Sequence, residues 1–133
     1  GPVGRLAQLL GGLDGALAEF QSGLGARWRD TVIVVATEFG RTARINGTEG
    51  TDHGTGTIAL LAGGAVNGGR MITDWPGLKP ANLYQARDLA ATTDLRAVIK
   101  GVLHDQFGIG ERVLADAVFP DSAPAKPMKG LVV

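Results

Sequence analysis

Val32-Ile33-Val34-Val35-Ala36 runs straight into Thr37-Glu38-Phe39-Gly40-Arg41-Thr42. The first five residues are apolar, four of them β-branched, which is the pattern of a strand buried on both faces. Strands covered on both sides are the habit of parallel sheets. In an α/β sheet, ligands gather beyond the carboxyl ends of the strands. Glu38 and Arg41 are therefore expected at the edge of a sheet where chemistry takes place.

A second short apolar run, Thr57-Ile58-Ala59-Leu60-Leu61-Ala62, stops at Gly63-Gly64 and reads as a neighbouring central strand. Arg70-Met71-Ile72, after Asn67-Gly68-Gly69, reads as a short edge strand or a hairpin return. On the N-terminal side Leu6, Leu9, Leu10, Leu13, Leu17, Phe20 and Leu24 recur at three- and four-residue spacing, one face of a helix from about Val3 to Gly25. Gly11, Gly12 and Gly15 each lower its helix propensity by about 1 kcal/mol relative to alanine, so this helix needs a core or a close neighbour. On the C-terminal side a helix capped by Thr93 or Asp94 carries Leu95, Val98, Ile99, Val102, Leu103 and Phe107 on one stripe and stops at Gly108. Leu114 to Val118 adds a little more, and the tail from Pro120, with Pro124 and Pro127, is expected to be extended or disordered.

The element order predicts an α/β fold: a mainly parallel sheet flanked by helices, one domain over residues 1–120 with a tail over 121–133. Two or three strands make a thin sheet. The chain thus reads as part of a larger domain whose apolar faces are covered by a further segment or by a second copy.

A chain of 133 residues has room for one core, and 44% hydrophobic against 20% charged residues is too apolar for disorder. Thirteen basic residues balance thirteen acidic ones, which disfavours charge-driven binding to nucleic acid or to an anionic membrane. No apolar run reaches the roughly 20 residues of a membrane span. The absence of cysteine excludes disulfides, thiolate metal sites and a cysteine nucleophile. Gly1-Pro2 reads as a protease scar, and no signal peptide is expected from the residues that follow it.

Between the two apolar runs lies Gly50-Thr51-Asp52-His53-Gly54. Adjacent Asp and His side chains face one metal only where the backbone leaves regular strand geometry, which the flanking glycines permit. A hard oxygen beside an imidazole nitrogen suits Zn, Mn or Fe. The same pair can equally be a hydrogen-bonded stabiliser of its loop, and Glu38 with Arg41 can be a salt bridge across the strand-end turn. His104, beside Asp105 and off the apolar stripe, reads as a solvated surface histidine, and Trp75 before Pro76-Gly77 as a loop anchor. Gly54-Thr55-Gly56-Thr57-Ile58-Ala59 matches a dinucleotide-binding spacing but precedes a strand where that motif must follow one.

Taken together, Val32 to Thr42, Gly50 to Gly54, Leu61-Ala62-Gly63-Gly64-Ala65-Val66-Asn67-Gly68-Gly69-Arg70, Asp74-Trp75-Pro76-Gly77-Leu78, Asp88-Leu89, Thr92-Thr93-Asp94-Leu95-Arg96 and Val118-Phe119-Pro120 resemble the C-terminal part of the DUF1501 family. The resemblance implies kinship with the alkaline phosphatase and sulfatase superfamily, and with it a paired-metal site acting on phosphate or sulfate esters. Two placements of the motif compete. In one, Asp52-His53 is the Asp-His pair of one metal; in the other, Glu38 is the strand-end carboxylate and His53 the later histidine of the second metal. Both keep His53 as a ligand.

The implied metal set is Asp52, His53 and Glu38 around a divalent Zn, Mn or Fe, with Arg41 on an anionic ester oxygen. The superfamily's nucleophile and first metal-binding Asp are not among these residues, so the chain is expected to be inactive without the missing N-terminal half of its parent domain. Thr55 stands where many relatives carry a second histidine. Twin-arginine signals common in the family imply a periplasmic or extracellular location. The rival expectation is a non-catalytic α/β module that keeps the fold and serves in binding or assembly.

Overall fold

A computed structural model describes residues 3–133; Gly1-Pro2 and the scar read there lie outside the described residues. The two apolar runs do pair, as β1 (Ile33–Val35) and β4 (Leu60–Ala62), but antiparallel, with Ile33 opposite Ala62 and Val35 opposite Leu60. Between them β2 (Gly40–Arg41) and β3 (His53–Gly54) form a second antiparallel pair, with Arg41 opposite His53. The mainly parallel, alkaline-phosphatase-like sheet expected from the sequence is thereby overturned: the described residues hold two small antiparallel two-stranded sheets.

The physical reason lies in the connection. Parallel strands need a crossover of a dozen or more residues, usually a helix, packed across the sheet. Here residues 36–59 double back on themselves, so the two ladders are the two ends of one interrupted hairpin. Residues 36–39 face residues 55–59, which puts one extra residue on the returning strand and offsets the registers by one, as at a bulge. Backbone bonds carry the hairpin past both ladders, from Ala65 N to Thr31 O (3.3 Å) at its base, through Thr42 N to Asp52 O (3.1 Å), to Asn46 N on Gly50 O (2.8 Å) at its tip. Burial on both faces does not hold either: Val34 and Leu60 are exposed. Arg70-Met71-Ile72 forms no strand, and Met71 and Ile72 are exposed.

Helix α1 (Arg5–Leu24) matches the reading of the leucine pattern, yet none of its residues is buried. It passes through a short 3-10 segment, Gly25–Asp30, into the hairpin. Helix α2 (Leu95–Phe107) starts where the sequence marks it: Asp94 caps it by accepting from Arg96 N at 2.8 Å, and Gly108 closes it in the left-handed conformation. A single turn, α3 (Glu111–Val113), continues into a π-helical turn at Leu114–Val118.

The tail lacks regular structure but is laid against α2 at every step. Lys100 Nζ donates to the carbonyls of Ser122 (2.7 Å) and Ala125 (3.0 Å). Met128 N donates to Ala97 O at 2.9 Å, and Leu131 N to the Asp105 carboxylate at 3.1 Å. Gly101 has to be glycine, because a Cβ there would overlap the Met128 carbonyl. Beyond α2 the tail makes an isolated antiparallel bridge, Val132 to Val66, supported by Asn67 N on Leu131 O and Val133 N on Ala65 O, both 2.9 Å. Ala65, Val102, Leu114 and Leu131 are all buried, so most of the core belongs to the C-terminal half.

Candidate functional site

The hairpin tip is built by Asn46. Its Oδ1 accepts from Thr48 N (3.1 Å), Thr48 Oγ1 (2.9 Å) and Gly50 N (3.0 Å), an Asx-type turn that aims residues 51–53 back along the strand. Buried Thr42 links the two arms, its hydroxyl accepting from Asp52 N at 3.1 Å and donating to Arg44 O at 3.0 Å. Register then sets Arg41 beside His53. Arg41 Nε donates to Thr51 Oγ1 at 3.0 Å and its Nη2 donates to the Thr51 carbonyl, while the His53 ring lies against Phe39 with centroids 4.0 Å apart and planes at 31°.

Arg41, Thr51, Asp52 and His53 line one open depression of about 450 Å³. Three of the four residues singled out from sequence are thus brought together. Glu38, the fourth, is exposed, does not line the depression and joins none of the ion pairs among the described residues. The expected alternative of a Glu38–Arg41 bridge is therefore not formed. What joins the two arms at this end of the hairpin is a hydroxyl pair, Thr37 Oγ1 to Thr57 Oγ1 at 3.0 Å.

Asp52 is already engaged on both oxygens. Asn46 Nδ2 donates to Oδ1 at 2.9 Å and Arg87 Nη1 stands 3.7 Å from Oδ2, both side chains of the ion pair being about half exposed. At that exposure the pair is worth about 0–1 kcal/mol and can be exchanged for another partner. A metal needs more than this. A catalytic zinc takes three protein ligands, whereas no group of three or more His, Asp or Glu is positioned to hold one among the described residues. Asp52 and His53 alone do not complete such a site.

Sequence reasoning missed Asp88. It is 5% exposed and accepts from Thr55 N (2.9 Å), Thr55 Oγ1 (3.2 Å) and Leu89 N (3.1 Å), which fixes the returning strand directly behind His53. Gly54 is required there, since a Cβ would overlap the Asp88 carboxylate and the Arg41 backbone. The turn that delivers Asp88 holds Gln85 and Ala86 at φ 52 and 54, a conformation costing a non-glycine residue about 1–2 kcal/mol. That turn is tied to the hairpin: Ala43 N and Arg44 N donate to Arg87 O at 3.1 and 3.3 Å, and Arg44 Nε to Ala86 O at 2.7 Å. No local pattern joins positions 55 and 88; the one sign available was Asp88-Leu89 among the stretches that carry the family resemblance.

His104 is not a freely solvated histidine, because Nδ1 meets the Ile109 carbonyl at 2.9 Å and trims the end of α2. Trp75 is 59% exposed and anchors nothing by burial.

The model of a family described as "Protein of unknown function (DUF1501)" matches residues 3–118. The chain belongs to the DUF1501 family. No curated protein and no solved structure matches it. In this DUF1501 chain the match spans α1, the whole hairpin, the Asp88 turn and α2, and stops where the tail begins to fold back. No described helix is long and apolar enough to cross a membrane.

Proposed function

We propose that this DUF1501 chain supplies the anion-facing wall of a site for phosphate or sulfate esters, hydrolase-like in the parent protein and inactive in this chain alone. The observation that carries the reading is the convergence of Arg41, Asp52 and His53 on one depression at the tip-side end of the hairpin. Arg41 spends Nε and Nη2 on Thr51 and keeps its other nitrogen for an ester oxygen. The His53 imidazole supplies a proton donor or acceptor, or one metal ligand. Asp52 supplies a carboxylate whose ion pair with Arg87 is half exposed and exchangeable. A divalent Zn, Mn or Fe would polarise the ester, and the remaining ligands and the nucleophile would come from residues outside this chain. The twin-arginine export common in the family supports placing such a site in the periplasm or outside the cell.

Elemental analysis tests this directly, on the chain and on the parent protein, each with His53→Ala and Asp52→Ala. Stoichiometric metal in the parent, lost in both variants, with phosphate- or sulfate-ester hydrolysis abolished by Arg41→Ala, is the expected result. A reconstituted parent protein that holds no metal and turns over neither ester class would sink the reading.

One observation favours a second reading, a binding or assembly module. Helix α1 leaves Leu6, Leu9, Leu10 and Phe20 more than half exposed and buries nothing, so its stripe awaits a cover from the parent domain or from a second copy. Sedimentation of the chain at rising concentration, with Leu10→Glu as the disrupting variant, reads self-association; a monomer at every concentration would remove the second copy as that cover.

A further inference from the structure

A cavity of about 260 Å³ opens where the tail crosses the middle of α2 beside residues 111–116, remote in sequence from the hairpin residues. It is lined by Lys100, Glu111, Arg112, Asp116, Lys126 and short tail residues including Ala123 and Ala125. Lys100 is the unusual member. It is 1% exposed, one of the most buried side chains of the molecule, and it joins none of the ion pairs among the described residues.

An ammonium carries three donors and one full charge. Two of the donors go to the Ser122 and Ala125 carbonyls. Carbonyl dipoles ease the burial of a charge but do not neutralise it, and the carboxylates of Asp94 and Glu111 act on Lys100 without closing to an ion pair. Around it the lining charges are Arg112 and Lys126 against Glu111 and Asp116, and Asp116 is committed to Arg112 at 3.4 Å. The wall is therefore positive by one charge once Lys100 is counted. We propose that this cavity binds a small oxyanion, of the size and charge of inorganic phosphate or sulfate, with Lys100 as its buried counter-charge and Lys126 at its rim. The binding clamps the tail onto α2, because the residues carrying the carbonyls on Lys100 belong to the tail. The proposal is independent of the hairpin depression and of any activity there.

The experiment is a phosphate titration of the full chain followed by backbone NMR, run against sodium chloride at matched ionic strength. Saturable shifts at Ser122, Ala123, Ala125 and Lys126 are expected with phosphate and not with chloride. Lys126→Ala, which leaves the two carbonyl bonds of Lys100 in place, is expected to weaken binding by about tenfold, the equivalent of roughly 1.4 kcal/mol. Lys100→Met is expected to abolish it, and Arg41→Ala to leave it unchanged. Shifts that grow linearly, that chloride reproduces, or that survive unchanged in Lys126→Ala would overturn the proposal. If Lys100→Met does not fold, the Lys126 and Arg41 variants decide the matter alone.

Discussion

Helices α1 and α2 carry similar apolar stripes and meet opposite fates. The first has 20 residues and the fuller leucine pattern, and buries none of them; the second has 13 and buries Lys100, Gly101 and Val102. Propensity does not separate them. What does is the tail, which crosses α2 and contributes carbonyl and amide groups at Ala97, Lys100 and Asp105, while among the described residues nothing comparable reaches α1. Periodicity thus identifies a helix and the face it offers, and leaves open who covers that face. The cover of α2 is an irregular, proline-containing segment with no periodicity of its own.

The largest break in this comparison should come from the covered side. Leu114 is fully buried and Leu131 is 3% exposed, so alanine at either is expected to cost about 2–5 kcal/mol, whereas Leu10→Ala in α1 should stay within about 0.5 kcal/mol. Urea unfolding of the three variants reads the difference. Equal losses at Leu10 and Leu114 would mean that α1 is covered in solution after all. Next comes Gly101→Ala, where the new methyl meets backbone and cannot turn aside. We expect about 1–3 kcal/mol lost, with faster amide exchange at Met128 and Leu131. Unchanged exchange at those amides would show that the tail is not seated on α2.

Much of this architecture was readable in advance, and the parts that were not share a cause. Both long helices and the two apolar runs as strands follow from local spacing and turn residues, whereas the grouping of Arg41 with Asp52 and His53 was implied only by the family resemblance. Strand direction does not. A short β-branched run looks the same whether its partner lies parallel or antiparallel, and only the path of residues 36–59 decides it. Asp88, Lys100 and the tail were unreadable for the same reason. Asp88 and Lys100 act on partners 22 to 33 positions away, and the tail on partners up to 68 positions away, through backbone groups that every residue possesses. Glu38 shows the converse case, since it follows a correctly read strand yet does not line the depression that Arg41 reaches three residues later.

A smaller effect tests the start of the covered helix. Asp94 accepts from Arg96 N, and the side-chain hydrogen bond from Arg96 holds its carboxyl below the usual carboxylate range, against a modest opposing push from burial. Asp94→Ala is expected to cost about 1 kcal/mol near neutral pH. The folded value lies below the unfolded one, so the contribution is complete above the ordinary carboxylate pKa of about 3.9 and disappears as pH falls through the folded value. Urea midpoints of the two proteins should therefore converge in acid and differ at pH 7. A gap that persists at pH 2 would assign the effect to lost packing instead of the charged cap.

The smallest effect belongs to α1 itself. Gly11 and Gly15 have open space where a Cβ would go, and at about 100° per residue both fall on the side away from the leucine stripe. Alanine at each should add up to about 1 kcal/mol of helix propensity. If α1 is energetically separate from the core, far-UV circular dichroism will gain helix signal while the urea midpoint stays fixed. A rising midpoint would show that α1 is coupled to the hairpin through Gly25–Asp30. Any self-association through the leucine stripe should survive both substitutions, since the methyl groups lie on the opposite face. Its loss would transfer the contact to the glycine side, and α1 would then be a close-packing helix whose leucines face something else.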